Sequence, residues 1–165
     1  MKIIFLDVDG VLNSTNSLMT DTSLEKLPIR NLKILVDSVD AKIVLTSTWR
    51  LCFNPLRELM DELAAAGLSI YSMTPEGASI PWLKTKGFAP TNRFIDTTNN
   101  TTTDRGAEIL RWLDEHDNVD SFVILDDEIF DIKSYFPFNY VKVNFANGLT
   151  FEDVAAAHKI LSKVK

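Results

Sequence analysis

The stretch Lys2-Ile3-Ile4-Phe5-Leu6-Asp7-Val8-Asp9-Gly10-Val11-Leu12 decides the fold. It begins as a short unbroken apolar run, the pattern of a strand covered on both faces and hence of a central parallel strand. Acids and a glycine follow at once. An Asp9-Gly10 pair is also a hairpin-turn signal, but the fully apolar residues before it argue for burial rather than an exposed hairpin. Working outward, Ala41 to Thr46 and Ser121 to Leu125 share the same β-branched and aromatic character. Tyr140 to Val143 adds a fourth strand, and Leu68 to Tyr71 a weaker fifth.

Between these runs the apolar period becomes helical. Leu32, Leu35, Val36 and Val39 share a face behind Pro28. Leu56, Leu59, Met60 and Leu63 share another, with Asn54 expected as N-cap, Pro55 at the first helical position and Gly67 at the stop. A third helix is expected over about Asp104 to His116 with Ile109, Leu110 and Leu113 inward. A fourth, after a Thr150-x-x-Asp153 capping box, carries Phe151, Val154, Ala155, His158 and Leu161. Alternating strands and helices imply a parallel sheet with helices on both faces, whose chemistry sits at the carboxyl ends of the strands. The longest expected loop is Ser72 to Thr103, polar and rich in Gly and Pro. A loop of that length is functional or mobile as a rule.

Composition bounds the class. A chain of 165 residues suits one core, so a single domain over residues 1–165 is expected. With 17 Lys+Arg against 23 Asp+Glu, the net charge of −6 argues against a general nucleic-acid coat or a membrane-surface protein. It leaves room for a local basic groove. The single cysteine, Cys52, cannot form an internal disulfide, and no secretory or membrane-spanning run is apparent, so the cytoplasm is the expected location.

The chemistry-bearing residues gather at strand tips. Asp7 and Asp9 follow the first strand, and Asp126, Asp127, Glu128 and Asp131 follow the third. Like charges at one sheet edge raise one another's pKa unless a cation neutralises them, and hard carboxylate oxygens suit Mg²⁺. Thr46, Ser47 and Arg50 end the second strand and offer hydroxyls, amides and a guanidinium to phosphate oxygens. Trp49 is either a packing residue or a flat surface for a base. Trp112 and Trp82 read as packing residues. His158, on the apolar face of the last helix, and His116, at a helix end, read as structural.

These motifs, in this order, resemble those of the haloacid dehalogenase (HAD) superfamily: Asp7-x-Asp9-Gly10-Val11-Leu12, a Thr or Ser ending the next strand, a basic residue at a later helix start, and Asp126-Asp127. The phrases LTSTWR, RGAEILRWL, ILDDE and NGLT resemble the HAD domain of Swiss Army Knife RNA repair proteins. The expected fold is a three-layer, Rossmann-like α/β arrangement with a central parallel sheet and no large cap domain, since Asn13 to Asp40 holds one helix and Ser72 to Thr103 is too short and polar for a core of its own. The resemblance carries residue roles with it. It implies Asp7 as nucleophile and Asp9 as acid and base, with Mg²⁺ held by Asp7, the Asp9 backbone carbonyl and Asp126, and Asp127 nearby. Asp131 is then an outer-shell candidate. Either Thr46 or Ser47 would bind phosphate, and either Arg105 or one of Lys84 and Lys86 would supply the neutralising cation. The substrate would be a phosphomonoester, nucleic-acid ends among the candidates, with Arg50, Lys84, Lys86 and Arg93 as a cationic rim. A small phosphometabolite or nucleotide, or a phosphate- or protein-binding module of low turnover, is the competing expectation.

Overall fold

The computed structural model describes residues 1–20, 23–91 and 93–163. Strand β1 (Lys2–Leu6) pairs in parallel with β2 (Ala41–Leu45) on one side and with β7 (Ser121–Asp126) on the other. Outside these lie β3 (Ile70–Met73) and β8 (Tyr140–Lys142), also parallel, giving the order β3-β2-β1-β7-β8. Side chains alternate across this sheet. Ile4, Leu6, Ile43, Leu45, Val123 and Leu125 enter one buried cluster, and Ile3, Phe5, Val44 and Ile124 the other. A strand that must feed two cores has little room for polarity, which is why these segments read as apolar runs with polar residues only near their ends, as Lys42 in β2 and Ser121 in β7.

Helices α2 (Lys26–Val39), α3 (Phe53–Ala65) and α6 (Phe151–Leu161) supply the first cluster through Leu32, Leu35, Leu59, Leu63, Val154, Ala157 and Leu161. Helices α4 (Ile80–Thr85) and α5 (Arg105–Asp114) cover the opposite face with Leu83, Ala107, Ile109 and Trp112. The result is the expected three-layer α/β arrangement, with no large cap. Burying each such aliphatic side chain contributes about 1.5–3 kcal/mol relative to exposure. Among the described residues no helix is long and apolar enough to cross a membrane.

Several local expectations are corrected. A short helix α1 (Thr15–Thr20) precedes α2, and α2 starts at Lys26, ahead of Pro28. Helix α3 is capped by Cys52 rather than Asn54, and Pro55 falls at its third position. The first-turn amides have no intrahelical partners, so proline is tolerated there too. Gly67, in the left-handed conformation, follows the C-cap Ala66. Met60 is 49% exposed, and in α6 Phe151, Ala155 and His158 face outward while Ala157 packs inward. In α5 it is Trp112, with Ile109, that reaches the core, Leu110 and Leu113 being half-buried. The Thr150–Asp153 capping box is present: the Asp153 amide donates to Thr150 Oγ1 (3.3 Å) and the Thr150 amide to Asp153 Oδ2 (2.9 Å).

The largest correction concerns Ser72 to Thr103. This span contains α4 and a small antiparallel sheet of β4 (Ala78–Ser79), β5 (Ile95–Asp96) and β6 (Thr101–Thr102), in the order β4-β6-β5. Strands of two residues carry no readable period.

Helix α5 meets the chain after β7 at Gly106. A Cβ there would run into the Tyr135 ring and the Asp131 backbone oxygen. Gly106→Ala is therefore expected to lose roughly 1–3 kcal/mol to overpacking, against a gain of up to about 1 kcal/mol in helix propensity. The urea midpoint measures the balance, and a midpoint at or above that of the wild type would contradict the close contact.

Candidate active site

The register sets the site. Leu6 lies level with Leu45 and with Leu125, so the next residue on each strand, Asp7, Thr46 and Asp126, forms one row across the central strands. The ladder continues into that row: the Asp7 amide donates to Leu125 O (3.0 Å) and the Thr46 amide to Leu6 O (2.9 Å). After β1 the chain moves to one side of the sheet and after β3 to the other. The row thus lies where the topology switches, the usual place for a ligand in such sheets. It opens into a cleft of about 430 Å³.

Asp7 and Asp126 are buried, 5% and 0% exposed, and with half-buried Asp127 they bring three carboxylate oxygens within 4.8 Å of one another. Burial raises the pKa of Asp7, with Asp9 adding to the rise and Arg105 opposing it. It pushes Asp126 up to about 7, again against Arg105. Asp127 is raised by burial and then by the charge on Asp7. Arg105, the first residue of α5, forms ion pairs with Asp7 Oδ1 (3.0 Å) and with Asp126. Burial works against its charge, but the two carboxylates outweigh burial and hold the guanidinium more firmly protonated. The Arg105 amide donates to Asp131 Oδ2 (2.7 Å), so Asp131 fixes the start of α5 and lies outside the acidic triplet.

Gly10 turns the chain after β1 with a φ of +73°, and a Cβ there would lie 2.7 Å from Asp127 Cγ. Only glycine combines that conformation with that approach. The turn presents Asp9, exposed, with each carboxylate oxygen held: Asn13 Nδ2 donates to Oδ1 (2.9 Å) and Trp49 Nε1 to Oδ2 (3.0 Å). Asn13 is itself oriented by the Gly10 amide, which donates to its Oδ1 (2.7 Å). Trp49 thus packs against the core and also donates to Asp9. Asn13 was missed in the sequence. An Asn three residues after Gly10 is the available signal, but its side chain counts only once the turn is closed.

Thr46 and Ser47 are distinguished by their hydroxyls. Thr46 Oγ1 is buried and makes no hydrogen bond among the described residues. Ser47 is engaged: its Oγ accepts the Trp49 amide (3.3 Å), and it is a hydrogen-bond partner of Asp7. An unpaired buried hydroxyl costs about 1–3 kcal/mol, a cost that an acceptor entering the cleft beside Thr46 would relieve.

Arg50 lines the cleft but is committed elsewhere. Its guanidinium donates to the carbonyls of Thr46, Ser47 (2.9 Å) and Thr74 (3.1 Å) and pairs with Glu108 (2.9 Å), both side chains being 5% exposed. Glu108 also accepts the Gly77 amide (2.8 Å). This buried pair therefore ties together the loops after β2 and β3 and helix α5. The pairing is not evident in the sequence, where its members are 58 residues apart, Arg50 reads as a phosphate ligand and Glu108 carries no signal of its own. Lys84 is exposed on α4, and neither it nor Lys86, which pairs with Asp114, is among the residues lining the cleft. Trp112 donates its indole N–H to Ser72 Oγ (2.7 Å), and His116 stacks on its ring at 3.7 Å, away from the site.

A parallel sheet ending in this acid row, with a hydroxyl beside it and a cation across it, defines a domain of the haloacid dehalogenase type. The model of one family, the HAD domain in Swiss Army Knife RNA repair proteins, matches residues 3–154 of the 165, and the chain belongs to that family. Its superfamily is one of hydrolases and phosphatases. No curated protein and no solved structure matches the chain.

Arg50→Met leaves Glu108 buried without its charge partner and is expected to cost about 3–5 kcal/mol by chemical denaturation. The double variant Arg50→Met/Glu108→Met should recover part of that loss. Strictly additive losses would show that the two side chains are not coupled.

Proposed function

We propose that the chain is a Mg²⁺-dependent phosphomonoester hydrolase working through an aspartyl-phosphate on Asp7, with nucleic-acid ends among its substrates. The observation that carries this reading is the level row of Asp7, Thr46 and Asp126, with two buried carboxylates on neighbouring strands and an unpartnered buried hydroxyl on the third. The acids fit a divalent ion. Their oxygens are hard donors at close quarters, and burial has raised the pKa of all three carboxylates, a cost a dication relieves. Asp7, Asp126 and Asp127 would hold it, together with the Asp9 backbone carbonyl. When bound, Mg²⁺ supplies the positive charge that lets an anionic nucleophile meet an anionic phosphate.

The chain's own residues divide the remaining work. An Asp7 oxygen attacks phosphorus as the bond to the leaving oxygen breaks in line, and Asp9 gives that oxygen its proton. Trp49 and Asn13 orient Asp9 for this step. Thr46 donates its hydroxyl to a non-bridging oxygen, and Arg105 offsets the charge gathered about Asp7. Water then attacks phosphorus while Asp9 takes its proton, the bond from Asp7 breaks, and inorganic phosphate leaves.

A second substrate reading, a small phosphorylated metabolite or nucleotide, is favoured by the excess of carboxylates over guanidinium groups lining the cleft. Rates on an end-phosphorylated oligonucleotide and on a free nucleotide separate the two.

Asp7→Asn should abolish phosphate release from p-nitrophenyl phosphate while leaving the circular dichroism unchanged, since the amide cannot form the acyl-phosphate. Asp9→Asn should lose roughly 10²–10⁴-fold in kcat; turnover near wild type in either variant removes that residue from its role. EDTA should stop turnover and Mg²⁺ restore it. By titration calorimetry Asp126→Ala should weaken Mg²⁺ binding far more than Asp131→Ala, and equal binding by the two would move the metal elsewhere.

A further inference from the structure

Three guanidinium groups line the cleft, and two are consumed within the protein: Arg50 by Glu108 and Arg105 by Asp7 and Asp126. Arg93 is different. Among the described residues it has no carboxylate partner. Its guanidinium lies over two aromatic rings from separate loops, 5.1 Å from the centroid of Phe94 and 5.9 Å from that of Phe130. Phe94 lines the cleft with Arg93, while Phe130, outside the lining residues, directly precedes the buried Asp131 in the loop that follows Asp126. Both rings are open to solvent, 38% and 48% exposed.

One exposed phenylalanine is ordinary, but two brought together across one guanidinium, one lining a polar cleft and the other beside it, make a contiguous aromatic surface of the kind that marks a binding site. A cation held over ring faces keeps its N–H edges free for an anion. The same cleft adjoins, across Glu76 and Thr103, a second groove of about 690 Å³ lined by Glu76, Asp96, Asp114 and Glu115. Its one guanidinium, Arg111, is bound to Glu115 (3.2 Å) and to the Gly77 carbonyl (3.2 Å). A polyanion entering the cleft is repelled from that groove, whose aromatic wall, Trp82, has only the Asp114-paired Lys86 over it, and among the described residues lining the two it meets a cation without a carboxylate partner at Arg93.

We propose that Arg93, Phe94 and Phe130 form a nucleotide subsite at the mouth of the cleft. Arg93 receives the phosphodiester next to the terminal phosphate of a single-stranded nucleic acid, and an exposed ring stacks on its base. This assignment rests on the phosphatase reading for the identity of the terminal phosphate, and it replaces the broader rim of Arg50, Lys84, Lys86 and Arg93 by Arg93 alone. The chemistry is that of single-strand binding surfaces, where a cation tracks the backbone and aromatic rings take the bases.

The test is fluorescence anisotropy, in EDTA, of a short dye-labelled single-stranded oligonucleotide with a phosphate at either end in turn. It is run beside p-nitrophenyl phosphate turnover with Mg²⁺. Arg93→Ala should weaken oligonucleotide binding several-fold and make its log–log salt dependence shallower by about 0.7, the value for one phosphate contact on a single strand. Phe130→Ala should weaken binding roughly ten-fold with the salt slope unchanged, and Phe130→Leu, which keeps the apolar bulk, should do the same. Turnover of p-nitrophenyl phosphate should stay near wild type in all three. Unchanged oligonucleotide affinity in Arg93→Ala and Phe130→Ala overturns the subsite while leaving the phosphatase intact. An equal loss on p-nitrophenyl phosphate overturns it in favour of a site for aryl phosphates. If the wild type releases no phosphate from any substrate, yet binding depends on Arg93 and Phe130 as described, the phosphatase reading falls and the subsite stands.

Discussion

Asp7 and Asp126 stand side by side at the ends of neighbouring strands, both buried at the cleft, and the fold has to hold two carboxylates largely withdrawn from water. Isolated buried carboxylates shift their pKa and neutralise rather than remain charged. Here Arg105 spans the pair, and much of the surrounding structure keeps that arginine in place. Its amide is held by Asp131. Asp104, at the N-cap position of that helix, turns its side chain away from the helix amides and accepts the Tyr135 hydroxyl (3.0 Å) and the Thr91 amide (2.6 Å). Gly106 lets the helix approach the chain after β7 closely enough for this contact.

The neighbouring strand end is secured by a different device. Arg50 draws the carbonyls of Thr46 and Ser47 onto its guanidinium and anchors itself on Glu108. A charge that a sequence reader assigns to ligand binding is spent on holding the backbone that does the binding. This follows from the economics of burial: a desolvated guanidinium is stable only where its donors find fixed acceptors, and carbonyls at a strand end provide them.

The central features were legible because they rest on local, strongly periodic signals. The run Lys2 to Leu6, the acids at Asp7, Asp9 and Asp126, and the Thr150–Asp153 box each carry their meaning within a few residues. What was not legible depends on long-range pairing. Trp49 could be assigned to Asp9 only once the loop after β2 lay over the turn after β1, and Glu108 to Arg50 only once α5 lay across two loops. The strands β4, β5 and β6, two residues each, exist because they pair with one another, and their sequences alone do not distinguish them from loop. Phe94 and Phe130 carry no signal in the sequence, because an exposed phenylalanine is ordinary until a second lies across the same guanidinium.

That small sheet gives the molecule two mechanical regimes. The five-stranded sheet is sealed between two apolar clusters, so its amides open to solvent only when much of the core does. The β4-β6-β5 ladder has few bonds and both residues of β5 are exposed, so that strand lies at the low-stability end of local opening. The acid row is thereby mounted on a rigid plate and one edge of the cleft on a compliant one. Amide hydrogen exchange would read the border between them as a step along the chain, fast across 95–96 and slow across 121–126. Substitutions accumulating in a lineage would meet least resistance on the soft side of that step, where the shape of the cleft can be retuned without disturbing the carboxylates beneath it.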